Sequence, residues 1–367
     1  MSDPAPQPIL VRVLRSPSEA LALDLAQWDL LLRQAGNANL LVSLLYLLED
    51  AGLFDAVPAA PREHLEWARR AATNHARGVR YEVARIAAAL SGLGLPLILL
   101  KGGAYAMAGL DAGRGRLFTD IDILVPKARL DEVEAALMLH GWASTHHDPY
   151  DQRYYREWMH EIPPMVHVRR GNAIDVHHAI LPETAADRPD PDLLRAAAIP
   201  IAGEQGLYTL APHDMFLHSA VHLFSGGEFE NGLRDLLDLH SLALQLGAEP
   251  GFWDGLADRA QVLQLSRPLY YALRCLQRML GTPVPATVSA AVVSAAPNVL
   301  LRAAMDAMLM SVLLPHHPSC AGRIDAAARF LLYVRGNWLR MPPLLLARHL
   351  AHKAFISPAD TQQAKQA

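Results

Sequence analysis

A chain of 367 residues, 51% hydrophobic and 19% charged, holds enough apolar material for one large domain or two ordinary ones, which excludes a largely disordered chain. Its 33 basic and 37 acidic residues leave a net charge of −4, which excludes a polyanion-binding molecule overall but not a local basic surface. Two cysteines, Cys275 and Cys320, without metal-ligand spacing, fit a reducing cytoplasm and core thiols better than a disulfide framework.

Residues 1–16 read as a loose or strand-like tail without the basic start and apolar run of a secretory signal. Helices follow. "SPSEALALDLAQWDLLLRQAG" has Ser at its start, apolar residues at three-to-four spacing and Gly36 as a stop, and "PREHLEWARRAATNHARGVRYEVARIAAAL" continues as one long helix or two. At Gly92 the texture changes. "LPLILLKGG" predicts a buried strand and turn, "GAYAMAGL" a short helix, "TDIDILV" a strand and "ARLDEVEAALMLHGW" an amphipathic helix; "WASTHH", "MVHVRR" and "AIDVHHAI" predict three further strands. Beyond the Pro/Asp-rich "LPETAADRPDPD" the pattern is helical, with a break at Met341-Pro342-Pro343. The expected architecture is α+β, with N-terminal helices over 1–91, a small α/β core over 92–185, a helical C-terminal domain over 186–355 and a frayed tail over 356–367. No window reaches the ~20 apolar residues of a membrane-spanning helix, so a soluble cytoplasmic protein is expected.

"GRLFTDIDILVP" sets two carboxylates in an apolar strand. Residues two apart share a face, so Asp120 and Asp122 project together while Ile121 and Ile123 enter the core. Neighbouring carboxylates repel and raise one another's pKa; a divalent cation relieves this, and Mg²⁺ suits oxygen ligands. The other reading is a salt-bridged strand end, with Arg114 or Arg116 as counter-ion. In "NAIDVHHAI", Asp175 and His177 share a face, so a strand laid beside the first would complete a three-carboxylate cluster able to hold two metals.

The whole stretch "LLKGGAYAMAGLDAGRGRLFTDIDILV" resembles the nucleotidyltransferase superfamily, whose signature is an apolar strand, Gly-Gly or Gly-Ser, then Asp-h-Asp-h. It looks closest to the uncharacterised bacterial branch in which "LLKG" opens the motif and "R…DIDILV" closes it; "AIDVHHAI" and "LHSAVHLFSG…LRDLLDLHSLA" extend the likeness over residues 85–245. The resemblance implies a small mixed nucleotidyltransferase-type sheet with flanking helices, and metal-dependent transfer of NMP from NTP to an acceptor with release of pyrophosphate. It implies Asp120, Asp122 and Asp175 as catalytic ligands of two Mg²⁺ ions, with Mn²⁺ as the substitute. Gly102 and Gly103 would let the backbone approach a phosphate, a position that a tight turn alone would also reserve for glycine. Lys101, Arg116 and Thr119 would complete the nucleotide site. The acceptor (small molecule, peptide or RNA) stays open. In one departure, the Gly103–Asp120 segment is longer than in most members, with "GLDAGRGR" inserted. That insertion supports an alternative: an inactive relative serving as a nucleotide- or partner-binding module.

Asp214, His218 and His222 recur every four residues, a stripe that fits a polar seam or part of a cleft; no Glu follows His218, so the HExxH metalloprotease pattern fails. Arg234, Asp235 and Asp238 read as a salt-bridged helix face, with contact to nucleotide as the other reading, and no P-loop or GxSxG elbow occurs. The stretch from Arg323 to Lys353 carries Arg329, Arg335, Arg340 and Arg348 with interleaved aromatics; a solvated basic face is the commoner explanation, and contact with an anionic acceptor, RNA or a membrane surface the other.

Overall fold

The computed structural model describes residues 7–146 and 148–342. Four helices lead in: Ile9–Arg15 (α1), Leu25–Asn37 (α2), Leu41–Asp50 (α3) and Ala59–Leu90 (α4). α1 corrects the expected strand-like tail. Leu10, Val11, Val13 and Leu14 are buried, and the Leu10 amide donates to Gln34 Oε1 at 3.0 Å, so a helix this short is held by docking. α2 begins at Asp24 rather than at a serine, because Asp24 and Gln27 form a reciprocal capping box. It runs through Gly36, and the reversal falls on Asn39 at φ 55°.

Seven strands form one sheet: Leu97–Leu99 (β1), Asp120–Leu124 (β2), Trp142–Ser144 (β3), Met165–His167 (β4), Ala173–His177 (β5), Ile199–Pro200 (β6) and Leu207–Thr209 (β7). Their order is β3-β4-β5-β2-β1-β7-β6, with β2–β5 and β1–β7 parallel and the other pairs antiparallel. The mixed sheet with flanking helices matches the expected fold class. β6 and β7 arise in a stretch read as helical. Gly203 and Gly206, both at φ 78°, turn a hairpin there, and β7 covers the edge that β1 would leave unpaired.

The remaining helices are Lys101–Met107 (α5), Leu130–Leu139 (α6), Pro149–Arg153 (α7), Pro191–Ala196 (α8), Pro212–Ser225 (α9), Gly232–Leu246 (α10), Phe252–Val262 (α11), Ser266–Cys275 (α12), Ala286–Ala291 (α13), Val299–Val312 (α14) and Asp325–Arg340 (α15). One connected cluster of buried apolar residues runs from Leu10 to Leu332, so lead-in helices, sheet and C-terminal helices share a core. α15 ends before Met341 as the prolines require. Its Arg335 turns inward and donates to the Phe224 carbonyl at 2.8 Å, while Arg329 pairs along the helix with Asp325 at 3.1 Å; Arg348 and Lys353 lie outside the described residues. Among the described residues, no single helix is long and apolar enough to cross a membrane. Cys275 is buried, whereas Cys320 is only partly so.

The long link between Gly103 and Asp120 is firmly packed. A Cβ on Gly113 would lie 2.6 Å from the Ala106 amide nitrogen and 2.6 Å from the Tyr105 carbonyl carbon, and one on Gly115 would lie 2.9 Å from Ser43 Cα. Backbone cannot yield as a side-chain tip does. Gly113→Ala is therefore expected to cost about 1–3 kcal/mol, read as a lower urea midpoint at unchanged slope. Gly92→Ala, whose Cβ meets nothing within 4 Å, should change stability by less than about 0.5 kcal/mol.

Candidate functional site

Three strands bring the charged groups together. β2 and β5 run parallel with Asp122 opposite Asp175 and Asp120 opposite Ala173, so the carboxylates two residues apart on β2 gain a third on the next strand. Ile121, Ile123, Ile174 and Val176 are buried on the opposite face. β1 lies on the other side of β2, where the Leu100 amide donates to the Asp122 carbonyl at 2.9 Å. The chain then turns into α5 through Lys101 at φ 45°, a left-handed conformation that is uncommon for lysine. This turn brings Lys101 Nζ to 3.0 Å from Asp122 Oδ1.

Asp122 is 4% exposed, and its Oδ1 also contacts His177 Nε2 at 2.8 Å. Burial pushes its pKa up, but the Lys101 ammonium and the His177 hydrogen bond outweigh burial and hold the carboxyl far below the usual range. His177 is shifted upward: burial opposes its charge, and Glu161 and Asp122 overcome that, with His177 Nδ1 3.3 Å from Glu161 Oε2. Asp175 goes the other way. Burial, then the charges of Asp122 and Glu161, push it up to about 7, and its Oδ1 is buried without a hydrogen-bond partner.

A cavity of about 670 Å³ opens beside these strands. Of the nucleotide-site residues expected from sequence, Lys101, Gly102, Arg116 and Thr119 line it, together with Asp120 and Asp122. Gly103 does not; a Cβ there would rest 3.7 Å from Ile121, an ordinary core contact. Asp175 lies one strand away from the cavity wall, beside Asp122. Gly102 has a steric reason to be glycine, since a Cβ would sit 2.7 Å from Phe118 Cδ1 and 3.0 Å from Arg116 Nε.

Arg116 is 8% exposed, and its Nη1 bonds Asp235 Oδ1 at 3.1 Å and, more closely, Asp238 Oδ2. Its counter-ions are thus on α10 rather than on β2, and Arg114 pairs with Asp50 at 2.7 Å. The α9 stripe divides: His222 reaches the cavity, while Asp214 is buried against Arg259 at 2.6 Å. Arg234 joins the cavity wall from α10.

Sequence reasoning did not single out Glu161, His160 or His177 as site residues. Ligand atoms of Asp122, Asp175 and His177 lie within 4.8 Å of one another, as do those of His160, Glu161 and His177. "MHEI" and the doubled histidine after Asp175 were the available signals, but nothing local says that residues 160 and 161 return to the end of β5.

The donor set fits a hard divalent cation. Asp122 and Asp175 would offer it oxygen ligands with His177 as the third member of the cluster, Asp120 standing outside that group, and the unpartnered Asp175 Oδ1, whose pKa is raised by burial and by the charges of Asp122 and Glu161, is the atom a cation would satisfy.

The sequence model of a family described as "Uncharacterised nucleotidyltransferase" matches residues 24–281. No curated protein matches the chain. A solved structure titled "Crystal structure of JHP933 from Helicobacter pylori" is similar at 14% identity over 77% of this chain and 96% of its own, with a TM-score of 0.31.

Proposed function

We propose, from the premise that this chain belongs to the family of uncharacterised nucleotidyltransferases, that it moves an NMP from an NTP to an acceptor in a metal-dependent reaction releasing pyrophosphate. The observation that carries this reading is the register of Asp122, on the wall of a cavity large enough for a nucleotide, opposite Asp175, whose Oδ1 is unpartnered. Held by Asp120, Asp122 and Asp175, Mg²⁺, or Mn²⁺ in its place, would supply charge neutralisation at the phosphates and activation of the attacking oxygen.

The chain's own residues do the positioning. Lys101, Arg116 and Arg234 line the cavity with Gly102 and Thr119, each paired with a carboxylate (Asp122 for Lys101, Asp235 and Asp238 for Arg116, Asp235 for Arg234) that a bound triphosphate would have to replace. His177, hydrogen-bonded to Asp122, fixes that carboxylate's orientation, as an outer partner of a metal ligand does. In the reaction the acceptor oxygen bonds to the α-phosphorus, the bond from that phosphorus to the β-phosphate oxygen breaks, and the acceptor's proton passes to Asp175. Rate enhancement comes from alignment and electrostatics. The close packing of Gly113 and Gly115 supports reading the long link as an ordered part of the fold.

The test is titration with ATP, GTP, CTP and UTP in Mg²⁺ and in EDTA, followed by transfer of α-labelled nucleotide to RNA, peptide and small-molecule fractions. Metal-dependent binding and label transfer are expected. Binding of no NTP would sink the reading, and binding without transfer to any fraction would favour the inactive module.

A further inference from the structure

The face of α4 turned away from the core is unlike the rest of this acidic chain. Trp67, Arg70, Asn74, Arg77, Tyr81 and Arg85 fall within one stripe at the helical repeat, and all six are exposed. Between Trp67 and Leu90 no exposed residue is acidic; Glu82 is buried and bound to Arg170 at 2.6 Å. Arg70, Arg77 and Arg85 have no carboxylate partner among the described residues. Arg80, beside them, is 3.8 Å from Glu204. Two arginines lie over aromatic rings: Arg70 is 4.7 Å from the Trp67 centroid and Arg85 is 5.7 Å from that of Tyr81. Trp67 and Tyr81 are 61% and 55% exposed, and Arg170 also stands 6.0 Å from the Tyr81 centroid.

The same helix borders the reaction cavity from its neighbouring face. Ala71 and His75 of the same helix line that cavity, and a hollow of about 480 Å³ with Arg77, Arg80 and Arg114 on its wall meets it at His75, Arg116 and Phe118. From Trp67 to Arg85 the helix extends about 27 Å, at 1.5 Å per residue. Unpaired arginines set between two exposed aromatic residues match a phosphate backbone that carries stacking bases. A lipid surface would call for a broad apolar face, which two rings do not make.

We propose that the acceptor is a single-stranded nucleic acid whose backbone lies along α4, with bases on Trp67 and Tyr81 and one end entering the cavity past His75 and Phe118. This names the acceptor class for the transferase reading and rests on it.

Binding of a short fluorescein-labelled oligoadenylate, followed by anisotropy in EDTA at several salt concentrations, tests the surface without any transfer step. The triple variant Arg70→Ser, Arg77→Ser, Arg85→Ser is expected to bind at least about tenfold more weakly, with a log–log salt slope smaller by about 2. The corresponding Lys variant should keep most of the slope. Trp67→Ala should weaken binding about tenfold at unchanged slope, since it removes stacking and no charge. No binding by the unmutated chain, a triple variant that binds equally well, equal binding of poly-glutamate, or binding of phosphatidylserine vesicles in place of oligoadenylate would each overturn the proposal. NTP titration of the unmutated protein reports separately on the transferase reading.

Discussion

Asp122→Asn is expected to lower NMP transfer by about a thousandfold and to destabilise the metal-free protein by about 3 kcal/mol. The stability loss follows from what the carboxylate holds. Its Oδ1 is the shared partner of Lys101 Nζ and His177 Nε2, both largely shielded from water, and an amide leaves the Lys101 ammonium without its paired anion and His177 with a weaker neutral partner. Asp175→Asn should damage transfer comparably yet move stability the other way. Asp175 titrates near 7 in the fold against 3.8 as its ordinary value, because burial and the charges of Asp122 and Glu161 disfavour its ionised form. A carboxyl raised in this way contributes stability fully below pH 3.8 and loses that contribution as pH rises through 7. In EDTA at pH 8, Asp175→Asn is therefore expected to gain about 1–2 kcal/mol, a gain that vanishes near pH 4. Urea denaturation of both variants at pH 4, 6 and 8 checks the divergence. Parallel losses at pH 8 would remove the picture of one neutralised and one repelled carboxylate.

Arg116→Met is expected to cost about 3–5 kcal/mol, more than any phosphate ligand on an open surface would. The guanidinium is the common partner of Asp235 and Asp238, both inside the fold, and methionine fills its volume without its charge. Adding Asp238→Asn to Arg116→Met should recover a large part of the loss, because Asp235 keeps Arg234 at 2.9 Å and no carboxylate is then stranded. A small loss for the single variant, with KM for NTP raised, would mean that Arg116 serves the nucleotide and little else.

These expectations divide along what a local pattern can carry. The two-residue alternation of Asp120 and Asp122 against Ile121 and Ile123, and of Asp175 and His177 against Ile174 and Val176, was legible because strand geometry fixes faces. The adjacency of those strands was a conditional guess, and the parallel register of β2 and β5 makes it a fact. Arg116 was legible as a charge near the site but not as a clamp, since its partners stand 119 and 122 residues downstream on α10. Glu161 was missed for the same reason: it meets His177 through an isolated antiparallel bridge outside any patterned strand. β6 and β7 were missed because two- and three-residue strands are too short to show a period. Gly102 and Gly103 looked alike in sequence, and only packing separates the one crowded by Phe118 from the one facing Ile121.

The pairing of β1 with β7 also sets an order of events during synthesis. Leu97 has its parallel partner at Leu207, and the Arg116 clamp needs Asp235 and Asp238. A nascent chain that has released β1, β2 and β5 already owns all three carboxylates, yet one edge of β1 is bare and the cavity wall lacks Arg234. Closing so long a loop is slow relative to local helix formation, so the three carboxylates are expected to meet before the cavity beside them is complete. A chain ending after β5 would carry the carboxylates without β7 and without the α10 side of the cavity.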